Sequence, residues 1–265
     1  MESGVICGYG TVGKTTAKAL SIPYYVDIDD NNISDKDLKS IGVYVICLPT
    51  PTVAGKQDLS AIHEWLKRIK KGYQPPTVYS DSGNPKIKPL VILRSTVLPG
   101  TTKVLQEKYP DINIVHVPEF LTMSSAMEDA HSPELLVIGT KDLVLIDIVK
   151  HIFGRVKNKK LICCSPTTAE LIKYTMNSFF ALKVIFANQL WDVSKKVGAD
   201  YSKVVEALES HKWGSRNGWD VWQGGFRGYG GACLPKDIEA FYKKFELPLL
   251  EATHKINKKL VEATQ

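Results

Sequence analysis

Short apolar runs recur along the first 165 residues. Gly4-Val5-Ile6-Cys7, Tyr24-Tyr25-Val26-Asp27-Ile28, Val43-Tyr44-Val45-Ile46-Cys47 and Leu90-Val91-Ile92-Leu93 are apolar at successive positions, with little alternation. Ile112-Asn113-Ile114-Val115, Leu135-Leu136-Val137-Ile138 and Lys160-Leu161-Ile162-Cys163 continue the series. Such runs predict strands buried on both faces. Residues 14–20, 62–70, 101–108 and 143–152, lying between them, carry helical spacing. Buried strands alternating with helices predict an α/β fold built on a doubly wound, mainly parallel sheet. Residues 72–89 hold four prolines (Pro75, Pro76, Pro85, Pro89) and little periodicity, and read as a surface loop.

The pattern changes after Cys164. Ser165-Pro166-Thr167-Thr168 supplies a helix start, and one long helical pattern runs over residues 169–196 without Pro or Gly. A second helix is expected over 202–210, then an irregular Gly- and Trp-rich stretch at 213–231, then helices near 237–244 and 249–262. This divides the chain into a first domain, 1–165, and a helical domain with one long central helix, 166–265.

Composition narrows the class. At 265 residues, 44% hydrophobic and 23% charged, the chain has enough apolar surface to offset the entropy of folding, which excludes a disordered state. No apolar run reaches the roughly 18–20 residues needed to cross a bilayer, and the first residues lack a basic region with a long apolar stretch. These features predict a soluble, cytoplasmic protein. The net charge of +6 is dispersed, which suits solubility or attraction of small anions better than nucleic acid. Five cysteines without framework or C-x-x-C spacing read as free thiols, and no metal-ligand spacing is present.

Three motifs carry chemistry. Gly8-Tyr9-Gly10-Thr11-Val12-Gly13 follows the first predicted strand and precedes a helix, the setting in which glycines admit a pyrophosphate to a helix N-terminus. Asp27, ending the next strand, is placed to accept from an adenosine ribose, favouring NAD over NADP. This arrangement makes the first domain Rossmann-type. Gly228-Tyr229-Gly230-Gly231-Ala232-Cys233-Leu234-Pro235-Lys236-Asp237 sets a cysteine between a glycine-dense loop and a helix start, where a thiolate is favoured. A reactive thiol beside a dinucleotide site suggests oxidation of an aldehyde through a thioester. On the long helix, Glu170, Lys173 and Asn177 share one face, continued by Ala181, Val184 and Asn188. Tyr174, Phe179, Phe180, Leu182 and Phe186 make its other faces apolar, so the helix is expected to be deeply buried.

In these residues the chain resembles the UDP-glucose and GDP-mannose dehydrogenase family, nucleotide-sugar 6-dehydrogenases that oxidise a C6 alcohol to a carboxylate with two NAD. Landmarks fall in family order: residues 8–13, Cys47-Leu48-Pro49-Thr50-Pro51, residues 94–102 (RSTVLPGTT), Pro118-Glu119-Phe120-Leu121, the Glu170/Lys173/Asn177 helix and residues 228–237. The resemblance implies Cys233 as nucleophile, Lys173 as oxyanion stabiliser and Asn177 as its assistant or as a group that orders water. Asp237 would position water and tune Lys173, while Glu119 and Thr96 would belong to the proton network, with Glu119 as general base. It also implies NAD contacts from Gly8, Gly10, Thr11, Val12, Gly13, Asp27, Pro49, Thr50, Thr96 and Lys236. Substrate contacts would come from Glu119, Phe120, Leu121, Lys173, Asn177, Arg216, Tyr229, Gly230 and Gly231. A homodimer through the long helix is further implied.

Two departures from the family pattern stand out. A second acid usually follows the first by four residues, and Met123 occupies that place. Relatives also continue into a further nucleotide-binding domain beyond the cysteine motif, so the chain is expected to be a compact form or a fragment. UDP-glucose is the leading substrate expectation. The alternatives are a two-electron dehydrogenase of the 6-phosphogluconate or hydroxyisobutyrate type, which needs no Cys233, and a non-catalytic NAD- or sugar-nucleotide-binding relative.

Overall fold

A computed structural model describes residues 4–74, 88–211, 214, 218–223 and 225–265. The chain forms two compact units. The first comprises the residues up to Pro51 together with Gln57–Lys173, and the second comprises Thr52–Lys56 and Tyr174–Gln265.

In chain order the elements begin β1 (Gly4–Cys7), α1 (Thr11–Leu20), β2 (Tyr24–Val26), α2 (Asp35–Leu38), β3 (Val43–Ile46), β4 (Thr52–Val53), β5 (Lys56–Gln57) and α3 (Ser60–Gly72). They continue with β6 (Leu90–Leu93), α4 (Thr101–Lys108), β7 (Asn113–His116), α5 (Ala126–His131), β8 (Leu135–Gly139), α6 (Leu143–Ile152) and β9 (Lys160–Cys164). Then follow α7 (Pro166–Val197), α8 (Tyr201–Ser210), β10 (Trp222–Gln223), β11 (Phe226–Arg227), α9 (Leu234–Phe245) and α10 (Pro248–Glu262).

Seven strands of the first unit form one sheet in the order β2-β1-β3-β6-β7-β8-β9. Every pairing is parallel except β7 with β8. The consecutive apolar runs explain the two covered faces. Val5, Cys7, Ile46, Val91 and Leu93 belong to one core with Ile62, Leu66 and Leu105, residues of α3 and α4. Their neighbours Ile6, Val45 and Ile92 belong to the other, with Ala17, Ala130 and Ile146 from α1, α5 and α6. Because successive strand residues face opposite ways, both sets must be apolar. Strand order reverses at β1, with β2 on one side and β3 on the other, so the crevice at their C-terminal ends is the switch point where such sheets bind ligands.

The predicted strands and long helices are present, with ends shifted by a few residues. The pattern did not show the short helices α2 and α5 or the two-residue strands β4, β5, β10 and β11, which are too short to display a period. The β10–β11 hairpin falls inside the stretch expected to be irregular. Residues 75–87 of the expected proline-rich loop lie outside the described residues.

α7 is 32 residues long. The Ser165 hydroxyl accepts from the Thr168 N–H at its start. On its second turn Glu170, with no exposed surface, reaches the N-terminus of α4. One carboxylate oxygen accepts from Gly100 N–H at 2.6 Å, and the other accepts from the Thr102 N–H and hydroxyl, each at 2.6 Å. Burial raises the Glu170 pKa, against the opposing pull of these three hydrogen bonds.

In the second unit the expected deep burial of α7 is found along one face of the helix within the single chain. Ala181, Val184, Ala187 and Asn188 are buried, but Phe179 and Phe186 are 58% and 50% exposed, and Met176, Val193 and Val197 are also exposed. Apolar residues placed three, four and seven apart form a stripe along one helix face. No helix among the described residues is long and apolar enough to cross a membrane.

Glu170→Gln leaves one acceptor oxygen facing three donors and presents an NH2 to one of them. It is expected to destabilise the protein by about 2–3 kcal/mol in urea unfolding, the scale of hydrogen bonds to a buried charge. A loss below about 0.5 kcal/mol would show that the carboxylate does not hold α4.

Candidate active site

The glycine turn in the first unit joins β1 to α1, and its three glycines do different things. Gly8 has φ +92, and a Cβ there would stand 2.8 Å from the Cys47 carbonyl oxygen. At Gly13 a Cβ would lie 2.0 Å from the Gly8 oxygen, so this glycine lets helix and strand close together. Nothing approaches the Cβ position of Gly10 within 4 Å, which leaves the N-terminus of α1 bare to a ligand. Thr11 and Val12 form its first turn. Asp27 follows β2 and accepts from the Tyr9 N–H at 3.0 Å and the Ile28 N–H at 2.9 Å, which holds its carboxylate beside the glycine turn. Tyr9 stacks on Tyr25 with ring centroids 3.8 Å apart. The chemistry of this cradle suits a dinucleotide, since the open helix end at Gly10 could receive a pyrophosphate and a carboxylate at Asp27 could accept from a ribose.

The turn after β3 and the loop after β6 are cross-linked. Thr50, buried, donates to the Thr96 carbonyl at 2.7 Å, and the Gln57 amide donates to the same oxygen at 2.9 Å. Gln57 also accepts from Leu98 N–H at 3.0 Å, and Ser95 donates to the Leu48 carbonyl at 2.7 Å. These bonds fix the Pro49–Thr50 turn and Thr96 relative to each other. Gln57 had no sequence signal, since its partners lie some 40 residues away and are backbone atoms.

Beyond β7, Glu119 meets Lys173 of α7. The ammonium lies 3.0 Å from Oε1, with side chains only 8% and 11% exposed for Lys173 and Glu119. Glu119 Oε2 accepts from the Leu121 N–H at 2.7 Å, and Lys173 lies over the Phe120 ring. Burial works against ionisation of Glu119, but Lys173, the Leu121 N–H and Arg94 together hold its carboxyl below the ordinary range. Arg94 is itself buried, with its guanidinium over the Phe153 ring. His116, fully buried, is pushed down to about 3, chiefly by burial, and is neutral. Neither Arg94 nor His116 was expected in this cluster. Met123, in the place of the family's second acid, is 81% exposed.

In the second unit, Cys233 is the N-cap of α9 and is exposed. Leu234 is the first residue of the helix, and Pro235 follows it with a fixed φ suited to a helix start. Asp237 is buried in the first turn. It accepts from the Asn177 amide at 2.9 Å and from Lys236 at 2.5 Å. Lys236, expected at the cofactor, is thus paired with its neighbour. Tyr229 is fully buried, while Gly231 (φ +76) is open to solvent. Arg216 lies outside the described residues.

Comparison with known proteins identifies relatives of this chain. Residues 27–157 match the NAD binding domain of the UDP-glucose/GDP-mannose dehydrogenase family, and residues 167–259 match its central domain. The UDP-glucose 6-dehydrogenase of Rickettsia bellii is 32% identical over 213 residues, covering 78% of this chain and 45% of that protein. The GDP-mannose 6-dehydrogenase of Pseudomonas putida is 31% identical over 241 residues, covering 85% and 52%. The chain therefore spans about half the length of these curated relatives. A solved UDP-glucose dehydrogenase from the archaeon Pyrobaculum islandicum has the same fold, with TM-score 0.79 and 24% identity over 98% of this chain and 68% of that one.

The Glu119–Lys173 pair gives a pH prediction. A carboxyl held low in the folded state stabilises the fold above its ordinary value of about 4.3, and that contribution is lost as pH falls through the lower folded value. Lys173→Met removes the main opposing charge and leaves burial to push Glu119 up. The variant is expected to lose about 3 kcal/mol at pH 7, where an unpaired carboxylate is buried, and to recover most of that deficit as pH falls and Glu119 is protonated in the folded state, read by urea unfolding of parent and variant across the acid range. A deficit that does not shrink as pH falls would show that the pair does not set Glu119.

Proposed function

Because the chain belongs to the UDP-glucose/GDP-mannose dehydrogenase family, we propose that it carries the oxidising machinery of a nucleotide-sugar 6-dehydrogenase. The reaction is oxidation of a sugar C6 alcohol to a carboxylate with two equivalents of NAD, and UDP-glucose is the first substrate to test. The observation that carries this reading is Cys233 capping α9 at the end of a glycine loop, with Asp237 buried one turn on and bonded to Asn177. A two-electron dehydrogenase needs no such thiol. NAD, when bound, supplies the hydride acceptor for both oxidations. Gly8, Gly10, Thr11, Val12 and Gly13 receive its pyrophosphate and Asp27 its ribose, with Pro49, Thr50 and Thr96 on the nicotinamide side; Lys236 is a further residue that family resemblance assigns to NAD.

Lys173 places its ammonium where negative charge develops on the C6 oxygen, and Asn177 donates beside it. The alcohol gives up a hydride from C6 and its hydroxyl proton passes to water, which leaves an aldehyde. The Cys233 thiolate attacks the aldehyde carbon, and as the C–S bond forms the C=O π pair becomes the oxyanion of a thiohemiacetal beside the Lys173 ammonium. This oxyanion adduct loses a second hydride as its C=O re-forms, producing a thioester. Glu119 takes a proton from the water that attacks the thioester, the C–S bond breaks, and the acid departs as Cys233 is regenerated. Asp237 orders that water. Phe120, Leu121, Tyr229, Gly230, Gly231 and Arg216 form the substrate's surroundings in this reading. Residues 1–165 serve NAD and residues 166–265 carry the thiol.

The exposed stripe of Met176, Phe179, Phe186, Val193 and Val197 supports a homodimer through α7, since burying it in a second copy removes large apolar side chains from water. The five cysteines form no disulfide, which suits a thiol chemistry in a reducing cytoplasm.

Two NADH per sugar acid are expected from UDP-glucose, measured at 340 nm alongside the acid product, and Cys233→Ser is expected to abolish the four-electron turnover. One NADH per substrate with full activity in the serine variant would sink the thioester reading in favour of a two-electron enzyme. NAD binding without NADH from UDP-glucose, GDP-mannose or an N-acetylated analogue would favour a non-catalytic protein. For the dimer, Phe179→Glu with Phe186→Glu should halve the mass seen by light scattering, and an unchanged mass would exclude this face.

A further inference from the structure

The loop that ends in Cys233 is held by the C-terminal helix. Tyr229 N–H donates to Asn257 Oδ1 at 2.7 Å, and Asn257 Nδ2 donates to the Tyr229 carbonyl at 2.9 Å. One side-chain amide thus satisfies both backbone polar atoms of a residue four positions before the thiol. Both residues are buried, so water does not compete for either bond. The fit around the amide is close. Gly228 has φ +98, and a Cβ there would stand 2.4 Å from Asn257 Oδ1. At Gly230 a Cβ would stand 2.4 Å from the Phe226 ring. The entrance to the loop is tied down as well. Arg227 N–H donates to Thr264 at 3.0 Å, and the Arg227 guanidinium binds Asn188 and, at 2.8 Å, Asp192.

We propose that Asn257 is the positioning residue of the nucleophile. Its amide fixes the peptide of Tyr229, and the open turn at Gly231 then delivers Cys233 to the N-terminus of α9. The role of Cys233 as nucleophile rests on the function proposed above, whereas the control of its position by Asn257 does not. The chemistry demands an amide, because the clamp needs a donor and an acceptor on one planar group. Aspartate keeps the acceptor but turns a carboxylate oxygen toward the Tyr229 carbonyl. Leucine, similar in size, supplies neither bond and strands two buried backbone groups.

The test uses the full chain and two independent readouts on Asn257→Leu and Asn257→Asp. The first is the iodoacetamide alkylation rate of Cys233, mapped by peptide mass spectrometry against the exposed Cys163 of β9 as internal reference. The second is the split of kcat from the KM for NAD. In Asn257→Leu the Cys233 rate is expected to change at least fivefold with Cys163 unaffected. Its kcat should fall at least tenfold while the KM for NAD stays within twofold, and Asn257→Asp should be intermediate in both. A Cys233 rate within twofold of the parent overturns the proposal, and so does a change shared equally by Cys163, which marks a general loss of structure. If the leucine variant does not fold, the aspartate variant is judged by the same criteria. If the parent makes no NADH from any sugar nucleotide, the proposed function fails, and the alkylation ratio still decides the clamp.

Discussion

The carboxylate of Glu170 receives three hydrogen bonds from the start of α4 while anchored in the second turn of α7. The N–H groups it satisfies are among those that a helix N-terminus leaves without intrahelical partners, and in the interior they need a partner. An anion is the best one, since the helix dipole adds to the hydrogen bonds. The bond therefore fixes where α7 leaves the sheet and how it is rotated. Rotation matters because Lys173 is three residues further along the same face. With α4 held to Glu170, Lys173 is brought to Glu119 at the end of β7, and an ammonium and a carboxylate pair in a site almost closed to water. Loss of the cap would release the helix that presents the ammonium.

His116 and Arg94 bear on that pair electrostatically. His116 is too deeply buried to protonate near neutrality, and Arg94 adds a second cation whose field reaches Glu119. A carboxylate flanked by two cations is a weak base, and a base is most effective with a pKa near the working pH. In the proposed reaction Lys173 turns its ammonium to the oxyanion, and Glu119 loses its largest opposing charge. Burial, the largest single influence on Glu119, then raises the carboxyl's affinity for a proton. In that proposed reaction the movement of Lys173 to the adduct would itself make Glu119 a stronger base.

The fold was readable from the chain because the strands are buried on both faces, so their apolar runs are continuous and the helices between them keep their period. The four two-residue strands gave no signal, since neither alternation nor a run can show over two positions. That α7 is buried along one face only within the single chain was hidden for a different reason. Phe179 and Phe186 are apolar whether they face a core or a surface awaiting a partner, and a hydrophobic count on one helix does not separate the two. Candidate chemistry was legible where it depends on local spacing, as at the glycine turn and the loop of Cys233. It was not legible where a side chain serves a distant backbone. Gln57, Glu170 and Asn257 act on residues 39 to 41, 68 to 70 and 28 positions away, and nothing in their own neighbourhoods marks those partners.

Gly10 shows how the two kinds of information combine. Gly10, Gly100, Gly198, Gly225 and Gly231 all have open space where a Cβ would be. In four of them φ is positive, between +71 and +98, a region that disfavours other residues, so the backbone alone accounts for the glycine. Gly10 has φ −71 and ψ −163, an extended conformation open to any residue. Neither strain nor a protein neighbour requires a glycine there. The remaining physical reason is close approach by something outside the protein at the bare N–H groups of α1. A negatively charged group is what that helix end would attract. The position least constrained by the fold is therefore the one where the pyrophosphate of the proposed NAD would best account for a glycine, and a methyl group at Gly10 would obstruct that ligand while leaving the fold intact.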